Sequence, residues 1–172
     1  MAVAAATLAV LSVIFYGAPF TREEVNPRAV LLGVLSVAVL YAIFWLGDTL
    51  SAMLFSFAPP QVSSIYDLRS QNQVWLIALI LLFVTSPAEE IYWRGFLQRW
   101  LDQKLGPVPG WILGAAIYGG VHAISGNFML VMAALVAGLF WGYIFMRERS
   151  IVPLIISHAL WTVSIFILFP TR

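Results

Sequence analysis

Between Arg28 and Asp48 the chain runs "AVLLGVLSVAVLYAIFWLG" without a single charge. A run of this length and character is long enough to cross a bilayer as a helix, which needs roughly 17–25 mostly apolar residues. Similar runs recur along the whole chain, near residues 2–20, 29–57, 74–100, 110–124, 128–146 and 151–169. The second is long enough to tilt, or to stop near "GDT" at 47–49 and continue along the interface. Composition agrees: 10% of the residues are charged, against about 25% in a soluble domain. The sequence therefore predicts an all-α, polytopic transmembrane bundle of about six spanning helices, forming one integral membrane domain over 1–172.

Several functions fall away at once. A formal charge of +1 offers no basic footprint for nucleic acid. With no cysteine there is no disulfide framework, thiolate nucleophile or cysteine-ligated metal. The first segment has no basic stretch before it and reads as a retained helix rather than a cleaved signal peptide. Turn-rich stretches separate the spans: "REEVNPR" at 22–28, "PPQVSSIYDLRSQNQ" at 59–73, "GPVPG" at 106–110, "SGN" at 125–127 and "RERS" at 147–150. Arg22, Arg28, Arg99, Lys104, Arg147 and Arg149 fall on one side of this topology, Arg69 and Arg172 on the other. The positive-inside rule makes the first side cytoplasmic and sends both termini outward.

Charged and titratable residues inside spans each carry an insertion cost of roughly 2.5–3.5 kcal/mol and mark function by default. Here they are Asp48, Glu89, Glu90, Arg94, His122 and His158. At a rise of about 1.5 Å per residue, Glu89 lies about 16 Å below the loop near Trp100. His122 lies about 18 Å from Gly110 and His158 about 12 Å from Ser150 on the same reckoning. Three helices thus bring Glu89, His122 and His158 to similar depths below one face. Glu90 and Arg94 are i,i+4 with the acid first, the favourable order for an ion pair, and could serve as a structural pin. Glu89 points about 100° away and lacks that partner. A paired Glu90 beside a proton-accepting Glu89 suits general base catalysis. His158 and Thr162, and Tyr118 and His122, also stand i,i+4. Pro87 should bend the helix just before the glutamates, and "GFLQRWLDQKLG" at 95–106 continues as an amphipathic segment along the cytoplasmic surface. Asp48 reads as interfacial, and Ala134, Gly138 and Gly142 as small-xxx-small helix packing.

These residues resemble the CAAX prenyl endopeptidase and bacteriocin-processing family of intramembrane proteases, also called the CPBP or Abi family. Its pattern is EExxxR, then FxxxH, then HxxxN or HxxxD on successive core helices. The chain has "EEIYWR" at 89–94, "YGGVH" at 118–122 and "HALWT" at 158–162. The likeness covers residues 75–169, the expected catalytic core. Tyr118 replaces Phe, a change that keeps an aromatic ring and puts little in doubt. Thr162 replaces Asn, and a hydroxyl is shorter and less capable than an amide.

The resemblance implies an intramembrane glutamate-type endopeptidase without a metal cofactor. Glu89 would be the base that activates water, assisted by His122. His158 and Thr162 would form the oxyanion site, and Glu90 and Arg94 would support the first motif. The substrate would be a membrane-embedded or lipid-anchored polypeptide, such as a CAAX-type tail, a leader peptide or a sorting tail. The expected location is a prokaryotic inner membrane, crossed several times. Two alternatives stay open. Glu89, His122 and His158 could form a hydrolytic zinc set, making the protein a metalloendopeptidase. Thr162 could instead mark a non-proteolytic scaffold or immunity protein that keeps the fold. A transporter would need inverted repeats or paired broken helices, which the sequence lacks.

Overall fold

The computed structural model describes residues 2–67 and 73–171. Among the described residues seven helices longer than one turn, labelled in chain order, run α1 Ala2–Tyr16, α2 Pro27–Leu54, α3 Ala58–Asp67, α4 Val74–Leu105, α5 Pro107–Ser125, α6 Phe128–Glu148 and α7 Val152–Leu168. No strand occurs among the described residues. Helices α2, α4, α5 and α6 are each long and apolar enough to cross a membrane, while α1 and α7 are apolar but shorter. All six expected segments are therefore helices, but only four have full spanning length. The all-α membrane fold is as read from the sequence.

Local chemistry sets the helix ends. Asn26 caps α2 by accepting from the Ala29 amide (3.0 Å), with Pro27 in the first turn where its missing N–H costs nothing. Asn127 does the same for α6 through the Leu130 amide (2.9 Å). The α4–α5 corner turns at Gly106, whose φ of +92° is open to glycine and strained for any other residue. Helix α2 passes through Gly47 and Asp48 without stopping and ends only at Leu54. Just before Pro87, α4 loosens into a π-helical turn at Leu81–Thr85, because the proline has no amide to close an ordinary turn, and it loosens again at Ile91–Gln98.

One connection departs from expectation. "PPQVSSIYD" is helical as part of α3, not a loop. Its two prolines, a turn signal in the sequence, lie in the first helical turn, where proline is tolerated. The helix is fastened by Gln61, whose carbonyl accepts from Asn127 Nδ2 (2.8 Å) and whose Oε1 accepts from the Met129 amide (3.0 Å). Residues 68–72 of that expected loop, with Arg69, and the terminal Arg172 lie outside the described residues.

In lipid, apolar burial between helices contributes little, so close packing and hydrogen bonds hold the bundle. Small residues make that packing possible. A Cβ on Gly33 of α2 would fall 2.8 Å from both Ile156 Cβ and the Pro153 carbonyl of α7. On α6, a Cβ on Gly138 would meet Tyr118 and Ala115 of α5 at 3.1 and 3.2 Å. The Ala134–Gly138–Gly142 stripe is thus helix packing, as its spacing suggests. Outward, α2 exposes Leu31, Leu35, Val39, Trp45 and Leu46, a surface suited to lipid tails and not to water.

The contacts also sort the bundle's ends. Arg28 pairs with Glu148, Arg149 with Asp102, and Arg99 donates to the Pro19 carbonyl. Residues from the N-terminal connection, the α4–α5 corner and the α6–α7 turn therefore share one charged end. Gln61 with Asn127, and Tyr66 with Thr171, mark the other.

Candidate active site

The first motif stands on α4 where the helix is loosened on both sides of a short α-helical turn, Ser86–Glu90. That turn directs the two adjacent glutamates to different surroundings. Glu90 is fully buried, while Glu89 is half-buried. Arg94, one turn on, donates from Nη1 to Glu90 Oε1 (2.8 Å), the expected i,i+4 pair. Arg94 Nη2 also reaches the Gly138 carbonyl of α6 (3.4 Å). Its guanidinium lies 4.9 Å from the Tyr118 ring centroid and 5.5 Å from that of Trp141, a favourable placement for a cation in a dry interior.

His158 arrives from α7 and binds Glu90, not Thr162: its Nδ1 lies 2.7 Å from Glu90 Oε1. Its ring stacks on Trp141, with centroids 4.0 Å apart. Since Nδ1 faces a carboxylate, it carries the proton, and Nε2 becomes a donor only in the imidazolium form. Glu90 is thus more than the partner of Arg94; it ties α4 to α7.

Glu89 has a partner too, contrary to the sequence reading. The Tyr118 hydroxyl donates to Glu89 Oε2 (2.9 Å), while Oε1 accepts no hydrogen bond among the described residues. The Tyr118 substitution is therefore not neutral, because a phenylalanine ring has no hydroxyl to donate. His122 stands where α5 tightens into a final 3₁₀ turn, half-buried, with Nδ1 2.8 Å from the Tyr118 carbonyl. A carbonyl only accepts, so His122 Nδ1 carries a proton, and in the neutral ring Nε2 keeps a lone pair.

All six expected site residues fall in one neighbourhood on α4, α5 and α7, but their pairing differs from expectation. Among the described residues Thr162 Oγ1 is buried without a partner, as are Ser86 Oγ, Glu90 Oε2 and Trp161 Nε1. Ser86 precedes Glu90 by one turn and Thr162 follows His158 by one turn. The Glu90–His158 contact between these antiparallel helices brings both hydroxyls to the next level of the bundle. Each such orphan costs roughly 1–3 kcal/mol, so the cluster is a costly polar pocket in an apolar setting.

Zinc fits this arrangement poorly. Among the described residues no three His, Cys, Asp or Glu side chains stand close enough to hold a metal ion. Glu89 and His122 both turn to Tyr118, while His158 turns to Glu90. A concave patch lined by Arg99, Asp102, Gln103, Phe145 and Arg149 lies at the charged end, beyond the glutamates on α4.

Two features were invisible in the sequence. The Tyr118–Glu89 bond spans 29 residues in sequence, and Gln98 donates to the Gly142 carbonyl (2.9 Å) across 44. Neither position belongs to a local pattern that predicts a partner; only the polar atoms within apolar runs hinted at them.

The family model described as "Type II CAAX prenyl endopeptidase Rce1-like" matches residues 71–164, more than half of the chain and all three motifs. No curated protein and no solved structure matches the chain. The ordered motifs, their convergence on one buried cluster and the family match agree: the chain belongs to the Rce1-like family of type II CAAX prenyl endopeptidases, an integral membrane member of a protease family.

Proposed function

We propose that this protein is a glutamate-type intramembrane endopeptidase that hydrolyses a peptide bond in a membrane-embedded or lipid-anchored polypeptide. Prenylated CAAX tails, the substrates in the family's name, head the list, with leader and sorting peptides after them. The observation that carries this reading is the unequal setting of the two glutamates. Glu90 is sealed between Arg94 and His158, whereas Glu89 is half-buried and has one carboxylate oxygen without a hydrogen bond among the described residues.

In this reading Glu89 Oε1 takes a proton from water as the water oxygen attacks the scissile carbonyl. His122 Nε2, with its lone pair, accepts a hydrogen bond from the same water and orients it. The carbonyl oxygen becomes an oxyanion, to which Thr162 Oγ1 and a cationic His158 Nε2 donate, with Glu90 as the counter-charge. Collapse of the intermediate breaks the C–N bond, and the amine leaves with the proton that Glu89 held. One water is consumed: its first proton reaches the amine by way of Glu89, its second passes from the new carboxylic acid to the amine, and a carboxylate and an ammonium group are released. No metal enters these steps.

The test is cleavage of quenched peptides, including lipidated and transmembrane ones, by purified protein in liposomes. Glu89→Ala should abolish cleavage, and His122→Ala should lower it by roughly 10²- to 10⁴-fold, the usual contribution of a positioned acid–base group. A chelator should leave the wild type active. Cleavage that persists in Glu89→Ala defeats the proposal, and cleavage lost on chelation and restored by zinc replaces it with a metal mechanism. Thr162→Asn distinguishes a silent protease from the scaffold or immunity reading: activity appearing only in that variant means proteolysis has been set aside in this chain.

A further inference from the structure

Tyr118 touches more of the motif residues than any pattern in the sequence suggests. It departs from the phenylalanine of the family pattern by one oxygen, and that oxygen donates to Glu89 Oε2 at 2.9 Å. We propose that the Tyr118 hydroxyl is a positioning group for the base: it pins one oxygen of Glu89 so that the other faces the water. This rests on the reading of Glu89 as the base.

The ring cannot easily move, which a positioning role requires. Tyr118 is 6% exposed. Trp93 meets its ring edge-on at a centroid distance of 5.1 Å, and the Arg94 guanidinium lies 4.9 Å from its centroid. On the α6 side, a methyl group at Gly138 would already stand 3.1 Å from Tyr118 Cδ1. The ring that carries the hydroxyl is therefore held between α4 and α6. The same residue fixes the second group on the water, because its carbonyl faces His122 Nδ1 at 2.8 Å. Glu89 and His122 thus share one rigid support on α5.

The chemistry of the donor matters as much as its rigidity. Beside Glu89 the other carboxylate, Glu90, already holds the nearby cation, Arg94. A second cation on Glu89 would form an ion pair and withdraw the lone pairs that catalysis uses. A phenol O–H satisfies one oxygen, restricts rotation about the last side-chain bond and leaves the charge in place. With phenylalanine, Oε2 would face an aromatic edge, and the carboxylate would be free to turn.

Tyr118→Phe isolates this oxygen, since the ring and the carbonyl that holds His122 are both retained. Misplacement of a catalytic group by a fraction of an ångström to 1 Å costs up to about 10²-fold. In liposomes, on peptides the wild type cleaves, kcat should fall roughly 10- to 100-fold with KM unchanged. The infrared carboxylate band that Glu89→Gln removes should also shift in Tyr118→Phe. A hydroxyl that only satisfies packing would change the melting temperature without moving kcat. Unchanged kcat, or a change confined to KM, overturns the inference. So does an unmoved Glu89 band, which decides the matter even where the variant is poorly stable or inactive. Loss of activity in Glu89→Ala with full activity in Tyr118→Phe refutes the positioning role and leaves the glutamate mechanism standing. Activity retained in Glu89→Ala removes the mechanism itself.

Discussion

Charged side chains behave differently in two regions of this molecule, its charged end and its interior. At the charged end, Arg28 meets Glu148 at 3.0 Å with the arginine side chain 80% exposed, and Arg149 meets Asp102 at 2.6 Å with half of its side chain exposed. Deep in the bundle, Arg94, Glu90 and His158 form a cluster whose side chains are at most 7% exposed. The distances are alike, but the energetics are not. Water and salt screen the exposed Arg28–Glu148 pair, which is worth about 0–1 kcal/mol. They reach the Arg149–Asp102 pair from the arginine side only, since the Asp102 side chain is 5% exposed. The inner cluster has no water to fall back on, so each member is retained only while the others stay in place. The outer pairs say which loops share an end; the inner cluster fixes how α4, α6 and α7 face one another.

Arg94→Met would break the comparison most forcefully. It removes the cation from a fully buried carboxylate and should destabilise the bundle by about 3–5 kcal/mol. Unfolding in mixed micelles measures this, and a loss below 1 kcal/mol would mean the inner cluster behaves like the outer pairs. Gly142→Leu tests the boundary between the regions. A Cβ there would stand 2.8 Å from Trp111 and 2.9 Å from Gln98 Oε1, so α5 and α6 must part. Overpacking of this kind costs about 1–3 kcal/mol, read in the same unfolding assay. If stability holds, the close approach of α6 is not what aligns the carbonyls of Gly138 and Gly142 with Arg94 and Gln98. Arg28→Ala should do least, shifting stability by less than about 0.5 kcal/mol and less again at high salt. A shift as large as that of Arg94→Met would erase the distinction between rim and interior.

The two regions were also unequally legible. The rim could be read directly, because charges that end apolar runs must reach the interface, and the contacts of Arg28, Arg99 and Arg149 do gather at one end. The Glu90–Arg94 pair was legible for another reason: its i,i+4 spacing is a property of one helix. Within the cluster, however, the sequence left His158 matched with Thr162 and Glu89 without a partner. The structure gives His158 to Glu90, across 68 residues, and Tyr118 to Glu89. Helix α3 escaped notice because "PP" is a turn signal except in the first turn of a helix, the place it occupies here.

What the chain determined by itself was everything that depends on distance along one helix or on partition between lipid and water. That covers the membrane class, the six apolar segments, the small-residue stripe on α6, the buried motif residues and the Glu90–Arg94 pair. What only the tertiary structure decided was which side chain on one helix meets which on another. That choice depends on how far each helix is rotated about its own axis. The rotation is set by contacts such as Gly33 on Ile156 and Gly138 on Tyr118, where helices from distant parts of the chain close to van der Waals range. A 100° step around a helix separates one residue from the next, so modest rotations reassign every partner. The hydroxyl of Tyr118 and the second bond of Glu90 exist only once those rotations are fixed.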